Sequence, residues 1–219
     1  MKKLIIFDLD GTLLNTIEDL TDNVNFALDK FSMPKRTISE VRSFVGNGIA
    51  KLIERAVPKN TNKEVENNVY KIFKEHYTNN CNNKTRPYDG ILKLLENLKQ
   101  NKILTGIVSN KNNEAVKKLS DIYFSDLIDE TRGFVEGSKT KPNPDSVNFI
   151  INKFNIDKKD CLYVGDSDVD YYTAKNAEID CIIVSWGFKD RDFLEKLDNV
   201  IIVDSIKELQ EKVYDWFFI

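Results

Sequence analysis

Leu4-Ile5-Ile6-Phe7-Asp8-Leu9-Asp10-Gly11-Thr12 begins as an apolar run and breaks abruptly into acids and a glycine. A continuous apolar run without alternation suits a parallel strand covered on both faces, so residues 4–9 read as a buried strand. Strand alternation puts Asp8 and Asp10 on one side, where at a strand's carboxyl end they extend into a crevice and not into a core. Gly11 permits the sharp exit. Two carboxylates this close do not both stay ionised and buried without a compensating charge. A hard cation such as Mg²⁺, taken through oxygen ligands, would supply that charge. The plain alternative is an acid-rich surface turn.

Working outward, similar apolar runs at 103–109, 161–164, 181–186 and 200–203 read as further buried strands. Between them, apolar residues fall at helical spacing: Ile91, Leu94, Leu95 and Leu98; Ala115, Val116 and Leu119; Val147, Ile150, Ile151 and Phe154. Strand then helix, repeated, indicates right-handed βαβ units and an α/β fold with a doubly wound, Rossmann-like parallel sheet. Residues 15–83 break the rhythm. They carry only helical periods, at Leu20, Val24, Ala27, Leu28 and Phe31, then Ile49, Leu52, Ile53 and Ala56, then Val65, Val69, Ile72 and Phe73. The expected organisation is an α/β core of residues 1–14 and 84–219 with an inserted all-helical cap domain, 15–83. Such an insert sits over the carboxyl ends of the strands, where open α/β sheets bind ligands. The apolar end, 214–219, reads as the close of a final helix that starts near Ser205 and docks on the sheet.

Composition narrows the function. Among 219 residues, 32 Lys and Arg against 35 Asp and Glu give a net charge of −3 with no basic block, so no nucleic acid partner is expected. No apolar run approaches the roughly 20 residues of a membrane span, and the run after Met1-Lys2-Lys3 is too short for a signal segment. A cytoplasmic protein without a membrane partner, monomer or homodimer, is the expectation. Cys81, Cys161 and Cys181 form neither a disulfide framework nor a zinc pattern, and Cys161 and Cys181 read as core. The single histidine, His76, lies in a polar helical stretch and reads as solvated. Chemistry then falls to carboxylates, lysines and hydroxyls.

Three further stretches end strands or precede helices. Ser109-Asn110-Lys111 offers a hydroxyl and backbone N–H groups suited to an anion, or an ordinary helix cap. In Lys139-Thr140-Lys141-Pro142-Asn143-Pro144, the prolines fix Lys141 just ahead of a helix, where its ammonium could face a developing anion. Gly165-Asp166-Ser167-Asp168-Val169-Asp170 places two acids four apart around a strand-to-helix turn, as ligands or as caps.

Together, Asp8-x-Asp10-Gly-Thr-Leu-Leu-Asn-Thr, the Lys-Pro-Asn-Pro run and Gly-Asp-Ser-x-x-Asp resemble the haloacid dehalogenase superfamily, in its phosphoglycolate-phosphatase-like branch with a helical cap. The resemblance implies a Mg²⁺-dependent phosphatase that hydrolyses small phosphorylated metabolites through an aspartyl-phosphate. Asp8 would be the nucleophile and Asp10 the general acid and base. Lys141 would neutralise charge on the phosphoryl group, which Gly11, Thr12, Ser109 and Asn110 would help to bind. Asp8, the Asp10 carbonyl and Asp166 would hold Mg²⁺, and Asp170 would orient Lys141 or a water on the metal. Arg42, Gly46 and Gly48 resemble the branch's cap turn and would contact substrate, or simply join two helices. A sugar phosphomutase and an inorganic pyrophosphatase share these motifs and stay open. Two departures stand out: Asp89, expected as a helix N-cap, replaces the usual proline, and Glu178 replaces a glycine at a helix end that favours a left-handed residue.

Overall fold

The computed structural model describes residues 3–218; Met1, Lys2 and Ile219, including the first residues of the N-terminal reading and the last of the apolar tail, lie outside it. Strand β1 (Leu4–Phe7) has all four side chains fully buried, each contributing about 1.5–3 kcal/mol on burial. It pairs in parallel with β4 (Leu104–Asn112) on one side and β6 (Cys161–Gly165) on the other. With β5 (Glu130–Phe134), β7 (Asp180–Val184) and β8 (Ile201–Val203), the parallel sheet runs β5-β4-β1-β6-β7-β8. Chain order therefore reverses direction across β1, and the crevice beyond its carboxyl end is where such sheets take ligands.

Alternation sends Ile5 and Phe7 to one face and Leu4 and Ile6 to the other. The first face is covered by α5 (Ile91–Gln100), α6 (Asn113–Tyr123) and α10 (Ile206–Phe218). The second is covered by α7 (Asp145–Phe154) and α8 (Asp168–Ala177). A short helix, α9 (Arg191–Leu194), precedes β8. The final helix docks through Leu209, Val213 and Phe217, in line with the reading of the tail.

Between β1 and α5 the chain forms β2 (Leu14–Asn15), four helices and β3 (Arg86–Pro87). The helices are α1 (Ile17–Asp29), α2 (Ile38–Phe44), α3 (Gly48–Ala56) and α4 (Lys63–Asn80). The two short strands pair antiparallel, Leu14 with Pro87 and Asn15 with Arg86, so both crossings into the helical segment lie side by side. Asp19 of α1, buried, ties them down: its carboxylate accepts from the backbone N–H of Asn83 and Lys84 at 3.0 Å and Thr85 at 2.8 Å.

Four local features differ from the sequence reading. Strand β5 was not expected, because Glu130-Thr131-Arg132-Gly133 has no apolar run and the strand lies half-buried at the sheet edge. Helix α2 escapes periodicity because it buries only Val41; what fixes it is a capping box between Thr37 and Glu40. His76 is not simply solvated: its ring stacks on Phe26 with centroids 3.6 Å apart and Nδ1 lies 2.6 Å from Asn23 Oδ1. Gly90, at φ 95°, and not Asp89, holds the N-cap of α5, whereas Glu178 does take the left-handed position, φ 60°, closing α8.

Candidate active site

Three loops converge at the carboxyl end of β1. The first holds Asp8, whose N–H donates to Val164 O at 2.9 Å, followed by a tight turn in which Leu13 and Leu14 donate back to Leu9 O. The second brings Lys141 from the loop ahead of α7, with its backbone N–H donating to Asn110 Oδ1 at 2.7 Å. The third, after β6, starts α8 with Ser167 as N-cap and Asp170 completing the capping box.

Asp170 does more than cap. Its Oδ2 accepts from Asp166 N, Ser167 N and Ser167 Oγ, while Oδ1 accepts from Lys141 Nζ at 2.7 Å. The one side chain thus caps α8 and binds the Lys141 ammonium. The same ammonium lies 2.8 Å from Asp8 Oδ1 and donates to the buried Tyr163 hydroxyl at 3.1 Å. Burial works against the Lys141 charge, but Asp170 and Asp8 hold its proton affinity well above the ordinary lysine value. Burial also pushes the Asp8 carboxyl up to about 7, with Lys141 pulling the other way and Asp170 adding repulsion. Asp166 is raised by the same burial and by Asp170 and Asp8, against one stabilising N–H from Phe188.

The acids are therefore short of positive charge. Asp8, Asp166 and Asp170 each place one carboxylate oxygen within 4.8 Å of the others. Asp170 is saturated by the bonds above, but the buried Asp8 Oδ1 has no close partner besides the Lys141 ammonium at 2.8 Å. Asp166 keeps one oxygen beside that accepting from Phe188 N at 2.6 Å. Its space is cut by glycines: a Cβ on Gly11 would lie 2.4 Å from Asp166 Oδ2, and one on Gly187 2.3 Å. An all-oxygen donor set with unpaired carboxylate oxygens fits a hard divalent cation. Asp10 could join such a set only through its carbonyl, because its carboxylate is bound to Lys111 at 2.9 Å.

Of the anion-binding candidates, Ser109 and Asn110 line a cavity with Asp8, Asp10 and Lys141. The Ser109 oxygen accepts from Lys111 N at 3.2 Å, which leaves its proton to donate. The Asn110 side chain is spent on structure, donating to the carbonyls of Gly46 and Lys141, both at 3.2 Å. Gly11 and Thr12 do not line the cavity. The Gly11 N–H donates to Leu14 O at 2.8 Å, and what the residue supplies at φ 92° is room for Asp166. The Thr12 hydroxyl is buried without a partner, and its carbonyl accepts from Trp186 Nε1. Gly46 and Gly48, at φ 126° and 82°, do face the cavity from the α2–α3 turn. Arg42 does not, because its guanidinium is bound to the Gly187 carbonyl and to Asp190. Sequence reasoning overlooked Lys111, Tyr77 and Tyr163. Lys111 stood beside Ser109 in plain view, but its partners come from distant segments.

Residues 5–184 match the sequence model described as haloacid dehalogenase-like hydrolase. A phosphoglycolate phosphatase of Haemophilus influenzae (strain 86-028NP) is 34% identical over 194 residues, 85% of this chain and 87% of that one. One of Mesorhizobium japonicum is 31% identical over 210 residues, 92% of this chain and 90% of that one. The crystal structure of a candidate phosphoglycolate phosphatase from Lactobacillus delbrueckii subsp. bulgaricus superposes with a TM-score of 0.91 at 33% identity, covering 97% of this chain and 99% of that one.

Proposed function

The chain belongs to the haloacid dehalogenase-like hydrolase family and is a phosphoric monoester hydrolase; from that premise we propose that it is a Mg²⁺-dependent phosphatase of small phosphate monoesters, phosphoglycolate among them, working through an aspartyl-phosphate on Asp8. The observation that carries the reading is the placement of the Lys141 ammonium between Asp8 and Asp170, 2.8 and 2.7 Å away, with Asp166 alongside. Phosphoryl transfer needs little more than positioning and charge stabilisation, and this cluster offers both.

In the first half of the reaction an Asp8 oxygen attacks phosphorus, the ester P–O bond breaks, and Asp10 protonates the departing oxygen. In the second half Asp10 takes a proton from water as that water displaces Asp8 and frees phosphate. Lys141 offsets charge on Asp8 and the phosphoryl oxygens, and the Ser109 hydroxyl donates to one of them. Mg²⁺, which Asp8, Asp166 and the Asp10 carbonyl would hold, would supply the charge that lets two carboxylates and a phosphoryl dianion share one site. Asp170 keeps Lys141 aimed.

Helices α1–α4, within residues 15–83, act as the cap over a core of 1–14 and 84–219, with Gly46 and Gly48 presenting backbone to the substrate. Closure of this cap excludes bulk water and opening releases product; unchanged proteolysis and scattering with a phosphate mimic bound would sink that gating. The net charge and the lack, among described residues, of any helix long and apolar enough to cross a membrane accord with a cytoplasmic enzyme of small metabolites. The test is phosphate release from phosphoglycolate, sugar phosphates, nucleotides, pyrophosphate and p-nitrophenyl phosphate, with Mg²⁺ or EDTA. Release that needs Mg²⁺ and vanishes in Asp8→Asn is the expected outcome; release that survives in Asp8→Asn overturns the assignment of the nucleophile.

A further inference from the structure

The carboxylate of Asp10 is held, not free. Lys111 Nζ lies 2.9 Å from its Oδ1 and 3.2 Å from its Oδ2. The same ammonium donates to the Tyr77 hydroxyl and sits 4.5 Å from the centre of that ring. The Lys111 side chain is only 2% exposed, and a buried ammonium persists only when it is paired. The three side chains in contact come from three parts of the chain: Asp10 from the turn after β1, Lys111 from β4, and Tyr77 from α4. Tyr77 is buried and stacks on Phe73 at 5.1 Å, so the packing of α4 fixes where its hydroxyl stands. No other core side chain among the described residues bonds to that hydroxyl.

We propose that Lys111 and Tyr77 are positioning residues for Asp10. Seating α4 places the Tyr77 hydroxyl, the hydroxyl fixes the ammonium, and the ammonium holds the carboxylate where it meets the leaving oxygen. The acid is thereby aimed only when the helical segment is seated on the core. The inference rests on the phosphatase reading above. Neither residue transfers a proton: the ester P–O bond breaks, the bond from Asp8 to phosphorus forms, and the leaving oxygen takes its proton from Asp10.

A misaimed Asp10 harms each ester in proportion to how much its leaving group needs a proton. An alkyl alcohol needs one, whereas p-nitrophenol leaves as the phenolate. The experiment compares kcat/KM, which covers the steps through phosphoryl transfer to Asp8, for phosphoglycolate and p-nitrophenyl phosphate. Tyr77→Phe keeps the ring and the Lys111 charge; it should lower kcat/KM about tenfold for phosphoglycolate and less than about threefold for p-nitrophenyl phosphate. Lys111→Met should lower the phosphoglycolate value further, and the double variant should match Lys111→Met alone, because Tyr77 acts through Lys111. Melting curves confine the comparison to folded variants, and Tyr77→Phe decides if Lys111→Met does not fold. Equal losses on both esters, no loss in folded Tyr77→Phe, or additive losses in the double variant would each overturn the inference. A wild-type chain that hydrolyses neither ester would overturn the phosphatase reading, and this inference with it.

Discussion

Burial of Asp8 ties the stability of the fold to pH, and the size of the effect follows from it. The carboxyl is held at about 7 in the folded chain, against 3.8 for an ordinary aspartate. Between those values the folded state binds a proton that the unfolded state releases, so stability falls as pH rises through that window. At about 1.36 kcal/mol per pH unit, the interval amounts to about 4 kcal/mol lost by the time the pH passes 7. Asp166, raised by the same burial, acts in the same direction. For a chain of this length about 4 kcal/mol corresponds to roughly 8–16 °C in melting temperature, of which about 5–11 °C falls above pH 5. A divalent cation bound to the ionised form removes that penalty, so Mg²⁺ should stabilise little at pH 5 and most at pH 8. Calorimetric melting of the EDTA-treated protein from pH 5 to 8.5, with and without Mg²⁺, reads both slopes. Asp8→Asn should lose the Asp8 share of the pH dependence. A metal-free melting temperature that stays level or climbs from pH 5 to 8, or a Mg²⁺ increment equal at both ends, would refute the reasoning.

Three further perturbations follow from the same contacts. Lys141→Met leaves Asp8 and Asp170 facing each other without their shared cation; kcat should fall by about 10²–10³, and urea unfolding should show a loss of up to about 3–5 kcal/mol, smaller below pH 7 where Asp8 takes a proton. Gly187→Ala drives a methyl to 2.3 Å from the Asp166 carboxylate, so the Mg²⁺ concentration for half-maximal activity should rise well above that of the wild type. Asp19→Ala removes the acceptor of three backbone N–H groups in the second crossing; denaturant melts should show a loss of about 2–3 kcal/mol, and hydrogen exchange at Asn83–Thr85 should accelerate.

Much of the architecture was legible because one physical signal, continuous burial, dominates it. Leu4 to Phe7 are apolar without alternation because helices cover both faces, and the runs before Ser109 and Asp166 repeat the pattern for the same reason. Strand β5 was hidden because an edge strand with one half-covered face needs no apolar run. Helix α2 was hidden because capping, and not an apolar stripe, fixes it. The acids and Lys141 stood out because each ends a strand or precedes a helix, and the sheet gathers those ends. The partnership of Lys111 was not legible: Asp10 lies 101 positions and Tyr77 34 positions away, and no local pattern marks a lysine that will be buried. Arg42 stayed open between two readings, since a charged residue beside a glycine turn says nothing of Asp190, which pairs with it.

The paired crossings at Leu14–Asn15 and Arg86–Pro87 carry a last consequence. Antiparallel partners stand about 5 Å apart, so the chain leaves the sheet and returns to it at nearly one point. A two-residue turn could close that gap, and helices of another length or number could hang from the same doorway without moving β1, β4 or β6. The helical segment and the sheet can thus vary on separate schedules, except where Tyr77 of α4 meets Lys111 of β4. A graft of a foreign helical segment between Asn15 and Arg86 would show how independent the two inheritances are.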